Sequence, residues 1–320
     1  MPTRVTTLPA LPIRPALDRL YGEFNAPESA VDPIHIVRRF SRPDDQEIVA
    51  FCAAALAFGR VSSVMQSIER LLAIMGSAAD SGPGPRGPVL PNESPAAFVR
   101  QFEPRRDAGA FQGFVHRWTR AADVVALLWV LRQMLDRSGS IEGFFVDGLD
   151  DQAPDMGPSI DSFSKRAMAL DLRTAYGRVP ARPGVAYFFP RPSSGSGCKR
   201  LNLFLRWMVR HDALDLGVWT RVPAAKLVVP LDTHIIRVGR CLRLTRYTSP
   251  GWKMAQDITA SLRRLDPEDP VRYDFSMCHL GMMDACGFER PKGDSQCPLR
   301  GVCRPRGRKP RPSRRPSVRP

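Results

Sequence analysis

Two stretches of this sequence hold residues whose types and spacing suit anion binding and helix capping. The first is Gly195-Ser196-Gly197-Cys198-Lys199-Arg200. Two glycines one residue apart permit a tight turn and let the backbone approach a bulky ligand. The apolar run Leu201 to Val209 that follows reads as a buried helix, too long for a strand. A helix opening out of a glycine turn presents unpaired N–H groups, a natural seat for phosphate. Lys199 stands there, either as a phosphate contact or as a solvated lysine.

The second stretch is Pro230-Leu231-Asp232-Thr233-His234-Ile235-Ile236-Arg237. It reads as a helix start with Asp232 at or next to the N-cap. A carboxylate in that place caps its helix.

A third group lies near the C-terminal end. Cys278, Cys286, Cys297 and Cys303 are four of the seven cysteines and fall within 26 residues. Four thiolates suit a [4Fe–4S] cluster or tetrahedral zinc; the bland alternative is a loop of free thiols. Cys52, Cys198 and Cys241 sit in apolar or hairpin settings and read as unliganded, with Cys198 expected as an exposed thiol beside Lys199.

Positioning these groups requires helices. Pro43 and the acids Asp44, Asp45 and Glu47 open a first strong helix running to Phe58, with Gly59 ending it. Val61 to Met75 makes a second. Further helices are expected over Ser94 to Phe102, Ala121 to Leu135, Ile141 to Val146, Ile160 to Arg173, Trp252 to Leu265 and from about Val271 to Ala285. Residues 78 to 93 are Gly- and Pro-rich and read as a loop. The acids Asp147, Asp150, Asp151 and Asp155 read as a solvated surface, and His116, beside Phe114, Val115 and Trp118, as a packed core residue. Of Tyr187-Phe188-Phe189, a core wedge is the expectation and base stacking the alternative. Three regions result: a proline-rich extension over 1–33 with a short helix around Ala16 to Phe24, a helical region over 34–303, and a basic tail over 304–320.

The formal net charge is +15 and the pI about 10.2. The tail carries eight positive charges and no acid, so the remainder keeps +7. A basic body beyond the tail points to a polyanionic partner; an arginine-rich genomic composition would give the same bias. The tail cannot bury enough apolar surface to fold alone and would add salt-sensitive phosphate affinity. The longest apolar stretch, Ile48 to Phe58, is too short to cross a bilayer, and no signal-peptide core is visible at the start. A cytoplasmic protein is expected, with neither a membrane nor a protein partner.

Gly195 to Asn202 resembles the hairpin of the helix-hairpin-helix DNA glycosylases of the endonuclease III type. Leu231-Asp232-Thr233-His234 resembles the aspartate segment that follows it there. With Phe111 to Thr119 included, the chain also looks similar to a bacterial family of unknown function. The resemblance covers roughly residues 30 to 303. It implies an all-α, two-lobed glycosylase-like fold closed by a C-terminal cysteine loop. Its parts are the hairpin over 195–210, the aspartate helix over 230–243 and the cysteine loop over 278–303. It implies a base-excision enzyme, a DNA glycosylase with lyase activity, in which Lys199 attacks the sugar C1′ and Asp232 activates it or stabilises charge. Gly195, Ser196, Gly197, Arg200 and Arg237 would contact DNA, or RNA. Cys297 and Cys303 match the last two ligands of the family's iron–sulfur loop, but Asp294 stands where a third cysteine belongs, leaving Cys278 to complete the set with Cys286. A second departure is an insertion over roughly His211 to Lys226. Both departures favour the runner-up, a nucleic-acid-binding protein without glycosylase chemistry; a helical protein-interaction module leaves the basic body unexplained.

Overall fold

A computed structural model of the chain describes residues 13–26, 28, 32–76, 94–282, 297–299 and 302–303. Cys286, Asp294, the loop over 78–93 and the tail over 304–320 lie outside these, apart from Ser94 onward where α5 begins. The described chain is all-α. Helices α1 (Ile13–Phe24), α2 (Ile34–Val37), α3 (Pro43–Leu56), α4 (Val61–Ile74), α5 (Pro95–Gln101) and α6 (Pro104–Asp107) come first. A small antiparallel hairpin follows, β1 (Val115–His116) with β2 (Thr119–Arg120), pairing Val115 with Arg120. Then come α7 (Ala121–Ser138), α8 (Ile141–Val146), α9 (Gly157–Met168), α10 (Arg173–Tyr176), α11 (Lys199–Val209), α12 (Thr233–Cys241), α13 (Trp252–Arg263) and α14 (Asp274–Met282).

Helix α3 lies at the centre because nearly all its residues are apolar or small. It packs along α11 and touches α2, α4 and α5. Its start is set by Pro43 in the first turn and by Asp44 and Asp45 at the positive end of the helix. Glu47 is buried within it, yet accepts hydrogen bonds from the amides of Ile141 (2.8 Å) and Glu142 (2.7 Å) and from the indole N–H of Trp219 (2.8 Å). Burial pushes its carboxyl pKa up, and the three donors oppose that shift. One acid thus joins α3, the start of α8 and the segment after α11, which would otherwise bury unsatisfied polar groups.

Three expectations need correction. Residues 13–24 belong to the body, not to an extension. α1 buries Ile13, Ala16, Leu17, Leu20 and Phe24 and packs on α14. The Tyr273 hydroxyl donates to Asp18 (2.5 Å, 255 residues away) and the Tyr21 hydroxyl to Asp212 (3.1 Å). Asp155 is buried rather than solvated, accepting from the Gly157 amide (2.8 Å) and the Gln256 side chain (2.8 Å). The helix expected over Ile160 to Arg173 ends at Met168, and Arg173 starts α10.

The inserted segment after α11 folds back on that helix. The Leu216 amide donates to Trp207 O (2.9 Å) and the Trp219 amide to Met208 O (2.8 Å), satisfying carbonyls that the helix end leaves free. α12 and α14 pack closely, and their approach depends on Gly281: a Cβ there would lie 2.6 Å from His234 Cβ. Gly281→Ala is therefore expected to destabilise the fold by roughly 1–3 kcal/mol, the usual cost of overpacking. A lowered urea midpoint at unchanged slope would report it.

Candidate functional site: a polar cleft between the hairpin and the aspartate helix

The hairpin is shaped by two left-handed residues. Gly195 has φ +83° and Cys198 has φ +46°, and Cys198 is the N-cap of α11 without a side-chain cap. The Gly195 carbonyl accepts from the Trp252 amide (3.1 Å) at the start of α13. Contact is so close that a Cβ on Gly251 would meet the Gly195 oxygen at 2.8 Å, and one on Gly197 would meet Leu231 Cδ2 at 3.3 Å. The glycines therefore dock the hairpin against the residues that precede α12 and α13.

A cleft of about 780 Å³ opens beside it. Gly195, Ser196, Gly197, Lys199 and Arg200 line one wall, and Asp232, His234 and Cys278 another. Lys199 and Asp232 thus face one cavity although 33 positions separate them in sequence, since the inserted segment packs behind α11. Lys199 is half-buried and, among the described residues, has neither an ion-pair nor a hydrogen-bond partner. Asp232 caps α12, as expected: Oδ1 accepts from the Ile235 amide at 2.8 Å. Its other oxygen, Oδ2, accepts from Cys278 Sγ at 3.2 Å.

The remaining expected site residues fall differently. Arg200 is buried and its guanidinium is committed within the protein, donating to Ala55 O (3.3 Å) and to Tyr187 O and lying 3.6 Å from the Tyr187 ring centroid. Burial pushes it down to about 10, so it stays charged at neutral pH. Arg237 is exposed on α12, away from the cleft lining. Cys198 is buried, not exposed, and burial pushes its thiol up to about 12, which leaves it a poor nucleophile. His116 is buried as expected, with Nδ1 against Ser67 Oγ (2.8 Å) and Nε2 against Phe58 O (3.1 Å).

Of the four cysteines expected to hold a metal, Cys278, Cys297 and Cys303 fall among the described residues. Cys278 lies in the cleft, where burial first, then the charges of Asp232 and Asp274, push its thiol pKa well up. Cys297 is buried and Cys303 half-buried, while Cys286 lies outside the described residues. Among the described residues no group of three or more His, Cys, Asp or Glu is arranged to hold a metal ion.

Beneath the cleft lies a feature that the sequence reading missed. Arg206 is 2% exposed; its Nε pairs with Asp215 (3.2 Å) and its Nη1 with Asp274 (2.6 Å). Arg210, one turn on, pairs with Asp215, with Asp212 (2.9 Å) and with Asp269 (2.8 Å). The signal was available: a lone arginine inside an apolar run, with Arg210, Asp212 and Asp215 after it, because a buried charge must be paired. Burial pulls the Arg206 guanidinium down, but Asp215 and Asp274 outweigh it and the net shift is upward. Burial likewise pushes the Asp274 carboxyl up to about 7, with Arg206 opposing and Asp232 and Asp215 adding to the rise.

The cleft defines the chain as an all-helical protein with a basic hairpin facing an acidic helix cap. The chain belongs to the family described as Protein of unknown function (DUF2400), whose model matches residues 32–83 and 88–283. The matched region includes Lys199, Asp232, Arg206, Asp274 and Cys278 and stops before Cys286. No curated protein and no solved structure matches the chain.

Asp274 gives the fold a definite pH response. Its folded pKa of about 7 stands above the ordinary 3.8. The folded state therefore binds more protons between those values, and stability falls as pH rises from about 4 to about 7. Asp274→Asn should flatten that slope in urea midpoints measured across the interval, even if it lowers stability at every pH.

Proposed function

We propose that the cleft binds a DNA strand and acts on it as a glycosylase with lyase activity. The observation that carries this reading is the convergence of Lys199 and Asp232 on one cavity. The uncapped first turn of α11 would receive a backbone phosphate, as helix N-termini do. A damaged base would leave the stack to reach the cleft. The Lys199 amine would attack the sugar C1′ as the base departs with the electrons of the glycosidic bond. Loss of the amine proton and ring opening give an imine, and β-elimination then cleaves the strand. Asp232 would oppose the positive charge building on the sugar. The net charge of +15 supports a polyanionic substrate. No helix among the described residues is long and apolar enough to cross a membrane, and we place the protein in the cytoplasm.

One observation favours a second reading, a DNA- or RNA-binding protein without this chemistry. Both oxygens of Asp232 already accept hydrogen bonds, from Ile235 and Cys278, so the carboxylate has a structural task of its own. Borohydride trapping on duplexes carrying an abasic site or common lesions separates the two. The enzyme reading expects a covalent adduct that is lost in Lys199→Ala and strongly reduced in Asp232→Asn. Tight binding with no adduct on any duplex would leave Lys199 as a phosphate contact and Asp232 as a cap.

The cysteine loop has its own test, the iron and zinc content of the purified protein. A cluster or zinc site held by Cys278, Cys286, Cys297 and Cys303 predicts bound metal that is lost or strongly reduced when any one of the four is changed to Ser. Full metal retention in Cys278→Ser would remove that residue from the ligand set.

A further inference from the structure

At the rim of the cleft three aromatic rings from three separate segments meet. Phe58 follows α3, Trp118 sits in the turn of the β1–β2 hairpin, and Tyr187 stands just before the approach to Gly195. Phe58 and Trp118 stack with centroids 4.6 Å apart and planes at 19°, and Tyr187 meets each edge-on, at 5.5 and 5.1 Å. Such a cluster would ordinarily be covered, since water contact with large apolar rings is unfavourable. Here Trp118 is 49% and Tyr187 41% exposed. The neighbouring Phe188 and Phe189 are buried core residues, so Tyr187 alone of that triplet faces outward.

The cluster is held in place at a cost. Arg117, in the same tight turn, has φ +54°, a left-handed backbone that non-glycine residues adopt only under constraint. The buried His116 pins the turn to the body through Ser67 and the Phe58 carbonyl. Arginines frame the rings: Arg117 lies 5.5 Å from the Trp118 ring, and Arg200 lies 3.6 Å from Tyr187 and 5.5 Å from Phe58. Arg60 and Arg117 are exposed, and among the described residues no carboxylate pairs with either. Phe58, Gly59, Tyr187 and Arg200 also line the cleft, so rings and cavity form one continuous surface.

Exposed rings beside the exposed guanidinium of Arg117, with Arg60 two residues after Phe58, suit a ligand that is planar and aromatic in one part and anionic in the next. We propose that Trp118 and Tyr187, backed by Phe58, form a stacking subsite for one unpaired nucleobase of a single strand whose phosphates lie against Arg117 and Arg60. This rests on the nucleic-acid reading of the cleft and narrows its substrate to strands that are single or locally unpaired. A fully paired base has both faces covered by its neighbours and cannot stack on these rings.

Fluorescence anisotropy with a labelled oligothymidylate and a labelled duplex of matching length, on the full chain, tests it. The wild type should prefer the single strand. Trp118→Ala should weaken that binding about 5- to 100-fold, the loss of one base–aromatic stack, while Trp118→Phe keeps most of it. Arg117→Gln should instead reduce the slope of affinity against salt by about one, which loss of stacking alone does not do. Thermal melts of each variant register any general loss of fold, and the retained binding of Trp118→Phe separates stacking from folding. Unchanged affinity in a folded Trp118→Ala, or equal wild-type affinity for strand and duplex, would overturn the subsite while leaving nucleic-acid binding intact. No wild-type affinity for either probe would overturn the underlying reading instead.

Discussion

Two buried arginines one helical turn apart fix the relation between the parts of this protein. Arg206 stands on α11 and Arg210 at its C-terminal cap, and aspartates from the following segment (Asp212 and Asp215), from the turn before α14 (Asp269) and from α14 itself (Asp274) close on them. A buried charge deprived of its partner costs several kcal/mol, whereas a well-packed apolar replacement of the whole network is often neutral. The value of such a network lies in register more than in bulk stability. The hairpin is the N-terminal end of α11, and Cys278 lies one turn beyond Asp274 on α14. The ion network therefore sets how far the glycine turn stands from the cap of α12.

The cleft that results is electrically divided. Along the hairpin lie Lys199 and first-turn amides; opposite them are Asp232 and, beneath it, Asp274. A ligand that carries negative charge at one end and gains positive charge at the other would lie across this cleft in one direction only. Preorganised charge of this kind acts without reorganisation at the moment of reaction. It also explains why the thiol of Cys278 stays protonated, flanked as it is by carboxylates and buried.

What the sequence disclosed was local. The proline and acids at the start of α3, the apolar run of α11 and the Asp232 cap each follow from residues a few positions apart, and the structure has them within a residue or two. That Lys199 and Asp232 line one cavity was implied by a resemblance and could not be read from spacing, because the path of the intervening segment depends on Trp207, Met208 and Glu47. Cys278 also meets Asp232, 46 residues earlier, and no local pattern encodes that contact. The burial of Cys198 was hidden for the same reason: the hairpin that carries it docks on Leu231 and Gly251, far along the chain.

The contact between Tyr273 and Asp18 has a consequence for synthesis. Helix α1 leaves the ribosome before the other described helices, yet its seat is provided by α14, and Asp18 meets Tyr273, 255 residues further along the chain, just before that helix. At translation rates of about 5–20 residues per second, α1 waits on the order of 13 to 50 s before its partner exists. An amphipathic helix with five buried side chains is a sticky surface for that whole interval. Closure of this part of the core thus waits for α14, and α1 is the segment on which chaperone contact in that interval would act.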